Sequence, residues 1–206
     1  DVVQIMKDYM ANGRFSRGVT QVLADASMVF IGNLNQPVDS LVQNSATDLF
    51  QPLPKEFDLA LLDRMHFYLP GWEVPKNSKD MLTDHYGFVT DYLAEAFRCL
   101  RKENRYDEAE KAVRFGSHVE GRDAGAARRT VAGLLKILHP HGECSKQELF
   151  EYVELALEGR RRVKEQLKKR GSFEFYKTSF SYIDQETETE HTVGVPEQGG
   201  AGVISR

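Results

Sequence analysis

Four consecutive apolar positions, Met28, Val29, Phe30 and Ile31, are ended by Gly32. A run this short and uninterrupted predicts a central parallel strand covered on both faces. In ASMVFIGNLNQP the next polar positions, Asn33 and Asn35, then fall at the carboxyl end of that strand, where open α/β sheets hold ligands. Two roles suit them: orienting a water or a phosphate, or accommodating the turn before Pro37.

Upstream, Val2, Met6, Tyr9 and Met10 share one helical face, and Asn12-Gly13 supplies a left-handed stop. RFSRGVTQVLADAS alternates around Gly18 and predicts a β-hairpin with Arg14 and Arg17 on its arms or tip, either simply solvated or in contact with a ligand. A polar loop region, with Gln43, Asn44 and Ser45, is expected from Pro37 to Pro54. In LALLDRMHFYLPG a short helix and a strand share thirteen positions, residues 59 to 71. Asp63-Arg64 stands at their junction, and taken alone Arg64 is an ordinary surface ion-pair residue.

From Gly71 the prolines and Asn77-Ser78 predict a linker, and the chain then reads as helix to residue 170. Leu82, Tyr86, Val89, Leu93, Ala96, Phe97 and Leu100 step by three and four. A shorter helix is expected from Tyr106 to Phe115. Asp123 is the candidate cap of the next, with Ala127, Val131, Leu134, Leu135 and Leu138 inward and Pro140 as its stop. Ser145 and Glu148 have capping-box spacing before a long apolar-striped helix that Gly171 terminates. That helix ends in RRRVKEQLKKR, seven basic residues against one acid. Cations suit a helix C-terminus, so a solvated end is the plain expectation; nucleic-acid contact through Arg160, Arg161 and Arg162 is the other. Beyond it, FEFYKTSFSYID and HTVGVP bracket QETETE as a hairpin.

Composition changes this picture little. Apolar residues make up 41% and charged residues 28% of 206, as in ordinary water-soluble globular chains. A net charge of -4 means that any affinity for nucleic acid rests on local patches. No apolar run reaches the roughly 20 residues of a membrane helix, and a cytoplasmic setting is expected. Cys99 and Cys144 lack CxxC spacing and suit reducing surroundings. The sequence contains no G-x-x-x-x-G-K-S/T phosphate loop, no G-x-S-x-G elbow and no H-E-x-x-H helix. His139, His141 and Cys144 in HPHGEC match no common zinc spacing, so no metal site is expected. The chain opens at Asp1 without methionine and closes on GGAGVISR, as a piece of a longer polypeptide would.

The order of these signals, a strand ending in Asn, then LLDRM, a proline linker and a helical region containing GAARRTVAGLLKIL, resembles the second half of an AAA+ ATPase module as found in Lon-type proteases. More specifically, QIMKDYM, FSRG, ASMVF, the PGWE and RRTV segments, PHGE, LEGRRRVKEQLKK and VPEQGG, in register from residue 3 to 202, resemble the Lon-like proteins of BREX phage-defence systems. The resemblance implies an α/β fold: residues 1–70 as the C-terminal half of an AAA+ core, 71–170 as a helical lid, and 171–206 as a hairpin and linker toward a Lon-like domain.

It implies further that Asn35, or Asn33 if the register slips by two, is the sensor 1 residue holding the attacking water. Arg64 is the finger reaching a neighbouring subunit's nucleotide. Arg129, with Arg128 second, is the sensor 2 arginine, and the hairpin carrying Arg14 and Arg17 projects into a central pore. ATP and magnesium are cofactors of the full-length protein, with none expected for this piece alone. The implied partners are further copies of the chain in a ring, and DNA or a polypeptide threaded through it; no membrane is involved. A non-hydrolysing scaffold with relic sensors is a third reading, from a different class.

Overall fold

The helix Lys146–Lys169 is the longest regular element, and two separate apolar cores are built along it. The computed structural model describes residues 2–43, 47–119, 121–171 and 178–198. Asn44, Ser45, the Gln43 side chain, residues 173–177 of the FEFYKTSFSYID segment and the glycine-rich close lie outside the described residues.

In chain order the elements are α1 (Val2–Asn12), β1 (Arg14–Arg17), β2 (Thr20–Leu23), α2 (Val38–Gln43), α3 (Leu59–Leu62), α4 (Thr90–Leu100), β3 (Val113–Phe115), α5 (Arg122–Leu138), α6 (Lys146–Lys169), β4 (Phe180–Asp184) and β5 (Glu190–Val193). The chain is mixed helix and sheet, as expected. Among the described residues the sheets β1-β2 and β3-β4-β5 are antiparallel.

The N-terminal half of α6 belongs to the first core. Val153, Ala156 and Leu157 pack there with Ala127, Val131 and Leu135 of α5 and with Phe180 and Tyr182 of β4. The C-terminal half belongs to the second, where Val163 and Leu167 meet Phe50, Phe57, Leu61 and Leu62, with Met6 and Met10 of α1 alongside. One helix thus ties the 50–65 segment to the α5 and sheet layer.

Local signals with their own chemistry hold as read. α1 stops at Asn12 and Gly13 takes φ +67°. The hairpin pairs Phe15 with Val22, and Tyr9 of α1 meets the Phe15 ring edge-on at 6.4 Å. Ser145 Oγ accepts from Glu148 N–H at 3.2 Å while Glu148 Oε2 accepts from Ser145 N–H at 2.9 Å, completing the capping box of α6. Gly171 closes it at φ +93°, and β4 and β5 form the hairpin around QETETE.

Signals that depend on a distant partner are corrected. Residues 28–31 form no strand: among the described residues nothing runs alongside to take their hydrogen bonds, and Val29 and Ile31 are 78% and 93% exposed. Phe30 meets the Phe57 ring edge-on at 5.5 Å. The loop after Pro37 instead contains α2, and Leu41, Leu49 and Phe50 are buried. α6 holds this region, with Lys169 Nζ donating to Leu41 O at 2.9 Å and Gln166 Oε1 accepting from Leu49 N–H at 2.9 Å. The strand expected after α3 is extended chain without a ladder, since Tyr68 N–H donates to Gly159 O of α6 at 3.0 Å.

The helix expected from Leu82 begins only at Thr90, past Gly87, whose backbone freedom costs a helix interior about 1 kcal/mol. Leu82 and Val89 are left exposed. Within 106–115, Val113 and Phe115 suit a pleated surface; they pair with β4, leaving only a 3-10 turn at Ala109–Lys111. α5 is capped by Gly121 because Asp123 is turned inward, and Leu138 is exposed.

Candidate functional site

The α3 helix, LALL, opens on Asp58, whose side chain accepts from Leu61 N–H at 2.9 Å. It closes on Asp63, whose own N–H donates to Leu59 O at 2.9 Å. Leu61 and Leu62 are drawn into the second core, which forces the Asp63 side chain against α5 and α6. There it is buried and meets three cations. Oδ1 accepts from Arg160 Nη2 at 2.7 Å and from Lys164 Nζ at 2.9 Å, and Oδ2 from Arg122 Nη1 at 2.6 Å.

Asp123 is the second acid of this cluster, accepting from Arg160 Nε at 2.7 Å, and Arg160 Nη1 also donates to Met65 O at 2.6 Å. Burial pushes the Asp63 carboxyl upward, but the charges of Arg160 and Lys164 outweigh it and hold the group below the usual carboxylate range. Removing one partner from such a buried network strands the others. Asp63 thus fixes the LLDRM segment onto both long helices.

The consequence falls on Arg64. Its neighbour Asp63 is committed elsewhere, so the expected surface ion pair is absent. Arg64 is half-buried; Nη1 donates to Ala60 O at 2.5 Å, and Nε is buried without a hydrogen-bond partner among the described residues. No carboxylate among the described residues pairs with this guanidinium.

Two residues on, His66 Nε2 lies 3.1 Å from Arg129 Nη1 of α5. Burial, then the charges of Arg129 and Arg160, push the His66 pKa down to about 4. The ring is therefore neutral near pH 7, and since a guanidinium only donates, Nε2 accepts and Nδ1 carries the proton. Arg128, one position earlier on the helix, points elsewhere. It pairs with Glu110 and lies over the Tyr106 ring at 5.6 Å. Of the two, Arg129 is the arginine joined to the 63–66 segment.

Asn33 and Asn35 are exposed in the loop beyond residues 28–31, close to Pro52: a Cβ on Gly32 would stand 2.8 Å from Pro52 Cβ. Nothing in the described residues brings either asparagine to Arg64 or Arg129. Arg14 and Arg17 lie exposed on β1, at the hairpin whose tip carries a fully exposed Val19.

The basic end of α6 differs from its expected solvated face. Arg160, Arg161, Arg162 and Lys164 are buried, because the 63–73 segment and the sheet cover this side of the helix. Arg162 pairs with Glu197 at 2.6 Å, Glu158 at 2.8 Å and Glu73 at 2.9 Å, and Arg161 with Glu165 at 2.7 Å. These side chains serve internal ion pairs, and Arg160, Arg161 and Arg162 are not presented at the surface of the described residues.

Reading the residues along the chain missed Asp63 and His66 as parts of the site. Buried cations need acid partners, so seven basic residues within one helix end signalled that acids would be drawn in, without showing which. At HPHGEC the structure gathers His139 and Cys144 with Glu148, a residue outside the motif. Burial and the neighbouring Glu148 raise the Cys144 thiol above its ordinary value.

The family model described as "Lon-like protease BrxL-like, ATPase domain" matches residues 1–181. A curated "Lon-like protease BrxL" from Bacillus cereus (strain H3081.97) is 53% identical over 206 residues, 99% of this chain and 30% of that protein. One of the same name from Escherichia coli O9:H4 (strain HS) is 51% identical over 205 residues, 99% of this chain and 29% of that protein. The chain therefore spans about 30% of the length of these curated relatives. No helix among the described residues is long and apolar enough to cross a membrane.

Proposed function

This chain belongs to the BrxL-like family of Lon-like proteases, within its ATPase domain, and on that premise we propose that it supplies the arginine face of a ring-forming AAA+ ATPase acting on DNA in phage defence. In this reading residues 1–70 are the C-terminal half of the nucleotide-binding core, 71–170 its lid and 171–206 the lead-in to a Lon-like domain. The observation that carries it is the division of labour in LLDRM. Asp63 is saturated by Arg160, Lys164 and Arg122, while among the described residues the adjacent Arg64 has a buried, unpartnered Nε and no carboxylate.

A rigidly backed guanidinium without an acid partner is suited to a polyphosphate presented by another subunit, because its planar fork matches phosphate oxygens. ATP with magnesium is the cofactor of the full-length protein in this proposal, supplying the phosphoanhydride that is cleaved. The residues present fit its phosphate end and not a complete cradle, since the chain contains no glycine-rich phosphate loop. Arg64 offsets negative charge developing on the phosphoryl oxygens. Arg129, oriented by the neutral His66, presents a second guanidinium from the lid, with Arg128 the alternative. Asn35, or Asn33, holds and orients a water. Arg14 and Arg17 meet the phosphates of a threaded nucleic acid.

The test is hydrolysis by the full-length protein with Arg64→Ala. The rate should fall on the order of a thousandfold while ATP binding is retained. Parental hydrolysis would remove Arg64 from the reaction. The name of the relatives, Lon-like protease, favours a second reading, in which the threaded polymer is a polypeptide degraded by a Lon-type serine protease. Proteolysis by the full-length protein, without DNA binding at low salt, would select it.

A further inference from the structure

The turn from α5 to α6 runs from His139 to Ser145, and it folds three different donors onto one another. The ligand atoms of His139, Cys144 and Glu148 lie within 4.8 Å of one another. His139 is 7% exposed. Its Nε2 is 2.8 Å from the Tyr152 hydroxyl and 3.9 Å from Glu148 Oε1. Gly142, at φ +98°, doubles the backbone back so that Cys144 returns to the imidazole.

Glu148 divides its two oxygens between separate tasks. Oε2 accepts from Ser145 N–H at 2.9 Å and from Ser145 Oγ at 2.6 Å in the capping box. Oε1 is the oxygen turned toward His139. The helix cap thereby orients the carboxylate, as outer hydrogen bonds orient the ligands of metal sites. The group opens on a cleft lined by Leu138, His141, Gly142 and Glu143.

We propose that His139, Cys144 and Glu148 bind one divalent cation of the zinc class, with the fourth position opening on the cleft beside His141. The donor set decides the class: magnesium and calcium take oxygen ligands, whereas a thiolate with imidazole and carboxylate suits a tetrahedral borderline-soft ion. Zinc bonds of about 2.0 to 2.3 Å put tetrahedral ligands about 3.4 to 3.6 Å apart. The Nε2 to Oε1 separation of 3.9 Å is thus close to the required span, and Sγ, within 4.8 Å of both, has about 1 Å to close. Binding forms a zinc–sulfur bond and releases the thiol proton to solvent.

The experiment strips the chain with chelator and titrates zinc alone against a chromophoric competitor, with cobalt as an optical stand-in. The expected result is one equivalent of zinc, with a sulfur-to-cobalt absorption band. Cys144→Ser should abolish that band and weaken zinc at least about tenfold. Glu148→Gln, which preserves an acceptor for the helix cap, should also weaken it, whereas Cys99→Ser should change neither. Substoichiometric binding, or parental affinity and an intact band in Cys144→Ser, would overturn the site.

Discussion

Burial, with the charges of Arg129 and Arg160, holds His66 neutral, and its titration gives the Arg129 contact a pH dependence of known sign. Its pKa falls from 6.5 to about 4 in the fold, so the unfolded chain binds more protons between those values. The contribution is complete above about pH 6.5, is lost as pH falls toward 4, and is worth about 2 kcal/mol once partial exposure is allowed for. Urea midpoints between pH 7 and 4 should therefore fall, and His66→Gln should flatten that part of the profile. An unchanged slope in the variant would place the dependence on other groups. Asp63 is the more severe substitution. Asp63→Asn leaves Arg160, Lys164 and Arg122 facing a neutral amide and should cost about 3 to 5 kcal/mol in equilibrium unfolding; a loss under 1 kcal/mol would contradict the buried cluster. LLDRM was legible as a motif, but the partners of Asp63 were not. They come from α5 and α6, between fifty-nine and one hundred and one residues away, and local spacing carries no trace of that pairing.

Elements separate into those with a chemical start or stop of their own and those that need a partner. The α1 stop, the hairpin turn at Gly18 and the Ser145/Glu148 box act within a few residues, and all three were readable along the chain. The 28–31 run and the β3 strand depend on what lies beside them. The first reads as a buried strand and is exposed; the second reads as helix and pairs with β4. Contact between the 63–73 segment and α6 is equally non-local, and Gly159 makes it possible. A Cβ there would stand 2.2 Å from the Phe67 ring, with Tyr68 N–H bonded to Gly159 O. Gly159→Ala should thus destabilise by about 1 to 3 kcal/mol through overpacking, despite alanine's better helix propensity. In a Phe67→Ala background the same change should be neutral or stabilising. Equal costs in both backgrounds would show that the ring and α6 do not meet.

At the scale of the whole molecule, α6 joins two cores, and the ion cluster at their junction backs Arg64 on one side while His66 steadies Arg129 on the other. Binding of a polyanion by a chain of net charge -4 must then rest on placed cations. In the function proposed above, the cations that meet DNA are Arg14 and Arg17 on the exposed hairpin, and the Arg14→Ala, Arg17→Ala double variant should flatten the slope of log affinity against log salt by about 0.7 to 0.9 per arginine. A slope identical to the parent would move the contact elsewhere.

In the proposed function Arg64 acts as a guanidinium fork on phosphate and not as a surface charge, which the ATP hydrolysis rate of full-length Arg64→Lys, read beside its unfolding midpoint, tests. Lysine keeps the charge and loses the fork. The rate should fall about a hundredfold or more with an unchanged midpoint; hydrolysis at the parental rate would rule the fork role out.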